Sequence, residues 1–130
     1  MSLNVDQIDS ENLDQIQSII TLLEDKKGNN ISLLDMREHS ISAQFFLIAD
    51  GDNPKHIRAL ADNLLEKLEE KPYHKEGLDS RAWVVLDYGE LWVHIFQKQT
   101  RQFYDLDGLW ADSFISREEL EKQGEHQTAS

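Results

Sequence analysis

Two carboxylates stand two positions apart at Asp50-Gly51-Asp52, where a run of apolar residues ends. Carboxylates at such a place can hold Mg²⁺. Lys55, His56 and Arg58 follow closely, and nucleotidyl transfer needs cations near its phosphates. The same segment also has a plainer reading. Asp, Gly, Asn and Pro are turn formers, and Asn53-Pro54 suits a helix entry, with Asn53 as cap and Pro54 in the first helical position. No Ser or Cys sits in a nucleophile elbow, and neither a phosphate-cradling glycine loop nor a dinucleotide fingerprint is visible. The chain contains no Cys. Its five histidines, His39, His56, His74, His94 and His126, lack the close spacing of a paired zinc motif. The expectation is a chain without catalytic residues, metal or cofactor.

A second constellation is aromatic. Trp83, Tyr88, Trp92, Phe96, Phe103, Tyr104, Trp110 and Phe114 crowd one stretch. In an extended Leu91 to Phe96, side chains alternate. Trp92, His94 and Phe96 then share one face, and Leu91, Val93 and Ile95 the other. Trp, Tyr and Arg are the usual energetic anchors of protein interfaces. Some of these rings must serve a core, and His94 reads first as a partly buried structural histidine bonded to a neighbour, with binding at that face as the second reading. The stretch from Trp83 to Trp110 is expected to form a docking surface.

Positioning such a surface requires a scaffold. Leu13, Ile16, Ile20 and Leu23 follow helical spacing, with Ser10 or Asn12 as candidate caps. Lys26-Lys27-Gly28 ends that helix, with Gly28 suited to a left-handed φ. Ile31 to Met36 and Ile41 to Ala49 read as strands; Phe45 to Ile48 is apolar on both faces, which marks a central strand. Ile57, Leu60, Ala61, Leu64, Leu65 and Leu68 keep helical spacing until Lys71-Pro72. Tyr73 to Ser80 reads as a loop. Ala82 to Asp87 and Leu91 to Phe96 form a hairpin around Tyr88-Gly89-Glu90. Phe103-Tyr104 suggests a further short strand, and Asp107 to Trp110 a last helical turn. The order α-β-β-α-β-β-(β)-α implies an α/β fold, a mixed β-sheet packed with helices. Residues 1–115 are expected to form one domain and the polar residues 116–130 a frayed, disordered tail.

Length and charge bound the function. The 130 residues suit one domain, and 25 acidic residues against 13 Lys and Arg give a net charge of −12. Such a chain is repelled by phosphate backbones and drawn to basic partners. No apolar run reaches the roughly 18 to 20 residues of a membrane span. The start, Met1 to Asp6, lacks the basic and apolar parts of a signal peptide. A cytoplasmic protein is expected.

The run Trp83-Val84-Val85-Leu86-Asp87-Tyr88-Gly89-Glu90-Leu91-Trp92-Val93-His94-Ile95-Phe96 resembles the core signature of the ribosomal silencing factors, the Iojap-related family. Phe103-Tyr104-Asp105-Leu106 and Leu109-Trp110 are similar to that family's closing motif, and Glu76-Gly77 precedes Trp83 at the family's distance. The chain departs from the pattern at Gln44 and in the loop Asp50 to Asn53. The resemblance implies a fold similar to nucleotidyltransferases without their catalytic residues. It implies binding to the large-subunit ribosomal protein numbered fourteen, a steric block to subunit joining, and repression of translation under nutrient limitation. Trp83, Asp87, Tyr88 and His94 would carry the docking, with Glu76 and Trp110 beside them. A Mg²⁺-dependent transferase at Asp50 and Asp52, or a homodimeric interaction module, are the competing readings.

Overall fold

A computed structural model describes residues 7–39 and 41–128. The acidic start, residues 1–6, lies outside the described residues, as does the end of the expected tail, residues 129–130.

Six strands form one sheet in the order β3-β4-β5-β2-β1-β6. They are β1 Asn29–Asp35, β2 Phe45–Gly51, β3 His74–Glu76, β4 Trp83–Asp87, β5 Leu91–Gln97 and β6 Phe114–Ile115. The central pair β2 and β5 runs parallel, and every other pairing is antiparallel. The mixed α/β expectation therefore holds. All seven residues of β2 are buried, as its two-faced apolar pattern requires.

Helices α1 Ser10–Asp25, α2 Pro54–Lys67 and α5 Arg117–Thr128 complete one side. Leu13, Ile16, Ile20 and Leu23 of α1 meet Ile57, Leu60 and Leu64 of α2 over Leu33, Leu47, Val84, Leu86, Val93 and Ile95 of the sheet. Each such side chain, fully buried, contributes roughly 1.5 to 3 kcal/mol of transfer free energy. A smaller cluster fills the other side: Leu34, Met36, Ala43, Phe46, Ile48 and Phe96. Helices α3 Lys98–Tyr104 and α4 Leu106–Leu109 follow β5, and Leu106 packs against this second cluster. No helix among the described residues is long and apolar enough to cross a membrane.

Local chemistry explains the boundaries. Asn53 caps α2 as its sequence suggests, its Oδ1 accepting from the His56 N–H at 2.9 Å. Helix α1 starts differently: Asp9 is the flanking residue, and neither Ser10 nor Asn12 provides the cap. At its other end Lys27, not Gly28, takes the left-handed φ of 61°. Gly28 is small for a different reason. A Cβ there would lie 3.1 Å from the Leu23 carbonyl oxygen and 3.3 Å from Leu60 Cδ2. Helix α2 ends at Lys67, before Pro72, and the Lys71 ammonium donates to the Leu65 and Leu68 carbonyls at 2.7 and 3.0 Å.

Three further expectations fail. The segment from Tyr73 to Ser80 is not all loop, because His74–Glu76 pairs with β4. Phe103 and Tyr104 lie in α3, not in a strand. The polar end is not a frayed tail: residues 117–128 are helical, Leu120 is buried, and the Gln123 side chain accepts from the Ile8 N–H at 3.0 Å. Leu120, the Gln123 amide and an Arg117–Glu24 ion pair at 3.1 Å dock a helix whose composition is otherwise that of a solvated segment.

Candidate functional site

The pairing register arranges the site in rows. Glu76 faces Val85, which faces His94, which faces Ile48. The next row runs His74, Asp87, Trp92, Phe46. Partners in a ladder point to the same face, so these residues share the side away from α1 and α2. The faces are sharply different. Val84 and Leu86 of β4 are buried, whereas Trp83, Val85 and Asp87 are half-buried. On β5, the expected split of Leu91, Val93 and Ile95 from Trp92, His94 and Phe96 is what the structure shows.

Trp83 opens β4. Its ring stacks on Phe96 at 4.8 Å and meets Tyr104 of α3, also at 4.8 Å. Its indole Nε1–H donates to His94 Nδ1 at 3.0 Å. A neutral imidazole that accepts at Nδ1 carries its proton on Nε2. That Nε2 meets no hydrogen-bond partner among the described residues. Burial pushes the His94 pKa down from 6.5 to about 4, so the ring is neutral at pH 7. Phe46 packs edge-on against it at 4.5 Å.

The other expected residues separate. Asp87 ends β4, and its Oδ1 accepts from the Gly89 N–H at 2.7 Å, closing the hairpin turn. Glu76 is exposed on the edge strand, 3.3 Å from His74 Nε2. Trp110 follows α4 and packs on the second cluster, edge-on to His39 at 4.4 Å. Two residues need correction as direct contacts. Tyr88 is 3% exposed and belongs to the larger core, its hydroxyl pushed up to about 12 by burial and by Glu70. His94 is also 3% exposed. An alternation of faces was legible in the sequence, but not how completely neighbouring rings would cover it.

Arg101 is the residue that sequence reasoning missed. Its guanidinium donates to Asp50 Oδ2 at 3.0 Å, to Asp107 at 2.9 and 3.0 Å, and to Ser32 Oγ at 3.0 Å. The Ser32 hydroxyl donates in turn to Asp107 Oδ1 at 2.7 Å. Burial alone would raise the Asp107 pKa, but hydrogen bonds from Arg101 and Ser32 outweigh it and hold the carboxyl below its ordinary value. Asp50 is thus engaged by Arg101, while Asp52 is exposed and accepts from Asn29 at 2.8 Å. The two carboxylates serve different partners. The network pins α3 and α4 to β1 and β2 and so presents Tyr104 to Trp83. Beyond it, Phe103 and Leu109 stand 81% and 67% exposed.

Comparison with known proteins gives a consistent result. The sequence model of the family described as "Ribosomal silencing factor during starvation" matches residues 9–130. A protein of Halalkalibacterium halodurans named "Ribosomal silencing factor RsfS" is 33% identical over 105 residues, 78% of this chain and 90% of that protein. Its namesake in Bacillus subtilis is 36% identical over 93 residues, 69% of this chain and 79% of that protein. A crystal structure of a Chromobacterium violaceum protein superposes with a TM-score of 0.70 at 28% identity, covering 84% of this chain and 92% of that one.

Proposed function

The chain belongs to the ribosomal silencing factor family, and from that premise we propose that it binds the large ribosomal subunit through the open face of β3, β4 and β5. The partner is the large-subunit protein numbered fourteen, and occupation of that site keeps the small subunit from joining. Translation is thereby repressed when nutrients are limiting. The mechanism is steric and takes place in the cytoplasm. It asks for no cofactor and no catalytic group.

The observation that carries this reading is Trp83. It is a large ring left half-buried on a sheet face, with carboxylates on the same face at Asp87 and Glu76. An aromatic anchor with acids on the same face suits a basic protein surface. The ring supplies contact area, and the acids speed encounter and exclude wrong partners. The net charge of −12 extends that attraction beyond the contact itself. Tyr104, half exposed against Trp83, widens the anchor. Asp87 and Glu76 belong to the rim, and Trp110 supports the face from the β1 side. Tyr88 and His94 act from beneath.

Cosedimentation with separated subunits tests the proposal. The protein should pellet with the large subunit at low salt and not with the small one. Trp83→Ala should remain folded and lose the pellet. A wild-type protein that stays in the supernatant would sink the reading. The engagement of Asp50 by Arg101 speaks against the Mg²⁺-dependent transferase. A homodimer is the second reading, favoured by the exposed Phe103 and Leu109. Light scattering would give its mass.

A further inference from the structure

We propose that His94 is a positioning residue, which holds the Trp83 indole in one orientation before a partner arrives; this rests on the docking reading above. Trp83 lies diagonally across the β4–β5 ladder from His94, because Trp83 pairs with Phe96 and Val85 pairs with His94. Diagonal neighbours are within reach of a long ring. The indole rests on Phe96 and touches Tyr104. Stacking on apolar faces fixes how far the rings are apart. It says little about which way the indole points, since a turned-over ring would stack nearly as well. The Nε1–H···Nδ1 bond of 3.0 Å removes that freedom, because only one orientation aims the single N–H at the single acceptor.

His94 is itself fixed. It lies in β5, with strands on both sides, packed edge-on by Phe46 at 4.5 Å and parallel to Phe96 at 6.2 Å. At 3% exposure it offers a partner almost no surface. Its effect on docking must therefore pass through Trp83. A ring already held in its binding orientation avoids the cost of ordering a free side chain on contact, and losing that advantage is worth about tenfold in affinity.

The experiment uses the full chain with its three tryptophans labelled at the indole nitrogen. Trp83→Phe identifies the Trp83 signal. His94→Phe keeps a ring and removes the acceptor, whereas His94→Asn places an oxygen close to where Nδ1 stood. In wild type the Trp83 N–H should exchange slowly with solvent. In His94→Phe it should shift and exchange faster, and affinity for isolated large subunits should fall about tenfold. In His94→Asn both should recover. An indole signal that His94→Phe leaves unchanged overturns the proposal, and so does a shifted signal with unchanged affinity. If His94→Phe fails to fold, Trp83→Phe deletes the same bond; a further loss on adding His94→Asn then overturns it. Should Trp83→Ala itself bind normally, the docking reading fails, while the indole signal still reports the bond.

Discussion

Arg101 Nη1 lies 3.0 Å from Asp50 Oδ2, and this ion pair fastens α3 to the C-terminal end of β2. Both side chains are largely buried, at 12% and 4% exposure. Arg101→Met would leave Asp50 with the Asn30 amide at 3.4 Å as its remaining side-chain partner. Removing one member of a buried pair costs roughly 3 to 5 kcal/mol, because the other charge stays behind uncompensated. Urea unfolding should show that loss, and hydrogen exchange should show α3 opening first. Pairing the change with Asp50→Asn should recover part of the stability. A loss below about 1 kcal/mol would mean that solvent screens the pair.

Gly77 has φ of +82°, and a Cβ there would run into the Trp83 carbonyl oxygen. Gly77→Ala should cost about 3 kcal/mol, combining backbone strain with a clash against main chain. Gly89 has a similar φ of +92°, but its Cβ would meet the Tyr73 ring at 3.1 Å. Tyr73 is exposed and can swing aside, so Gly89→Ala should cost nearer 1 kcal/mol. Urea midpoints of the two variants compare them directly. Equal losses would place the strain in the dihedral alone.

His94 makes stability depend on pH. Its pKa is about 4 when folded against an ordinary 6.5, and burial is the cause. Between those values the unfolded chain binds a proton that the folded chain refuses. Stability is therefore unaffected above pH 6.5, falls as pH drops below it, and has lost the full amount near pH 4. The shift corresponds to about 3 kcal/mol in all, of which about 2 should be gone by pH 5. Unfolding free energies of wild type and His94→Asn, measured near pH 7.5 and pH 5, isolate this group. Parallel losses in both proteins would assign the acid sensitivity to carboxylates.

Leu120 is the buried apolar residue of α5, at 3% exposure, in contact with the main core. Leu120→Ala should cost about 2 to 3 kcal/mol. Exposed Glu121→Ala should change stability by less than about 0.5 kcal/mol. Thermal unfolding of both decides whether the last helix is part of the domain. Two neutral substitutions would restore the picture of a solvated tail.

Periodicity made the scaffold legible. Helices α1 and α2, the doubly apolar β2 and the β4–β5 hairpin each declare themselves from a local run of sequence. What eluded the sequence depends on partners far along the chain. Strand β3 is three exposed residues, a strand only because β4 lies beside it. Helix α5 is polar around most of its girth and held at Leu120 and Gln123. Asp50 read as part of a turn, and its ion pair with Arg101, 51 positions later, was not visible. Within the candidate site, Trp83 and His94 were visible as residue types at matching spacing. Their hydrogen bond was not, nor was the withdrawal of Tyr88 into the core: rings from β2, β5 and α3 pack around the first, and the larger core around the second.

The two outermost strands bear on how the protein behaves when crowded. A sheet with an open flank invites another chain to add itself there, and fibres begin that way. Here one flank is His74-Lys75-Glu76, three residues that are all exposed and able to carry charge, bounded by Pro72 and Gly77. The other is the two-residue Phe114–Ile115. Neither is long enough to template a neighbour. Deleting β3 would uncover the main chain of β4 from Val85 to Asp87, and turn the proposed contact face into a seed for aggregation.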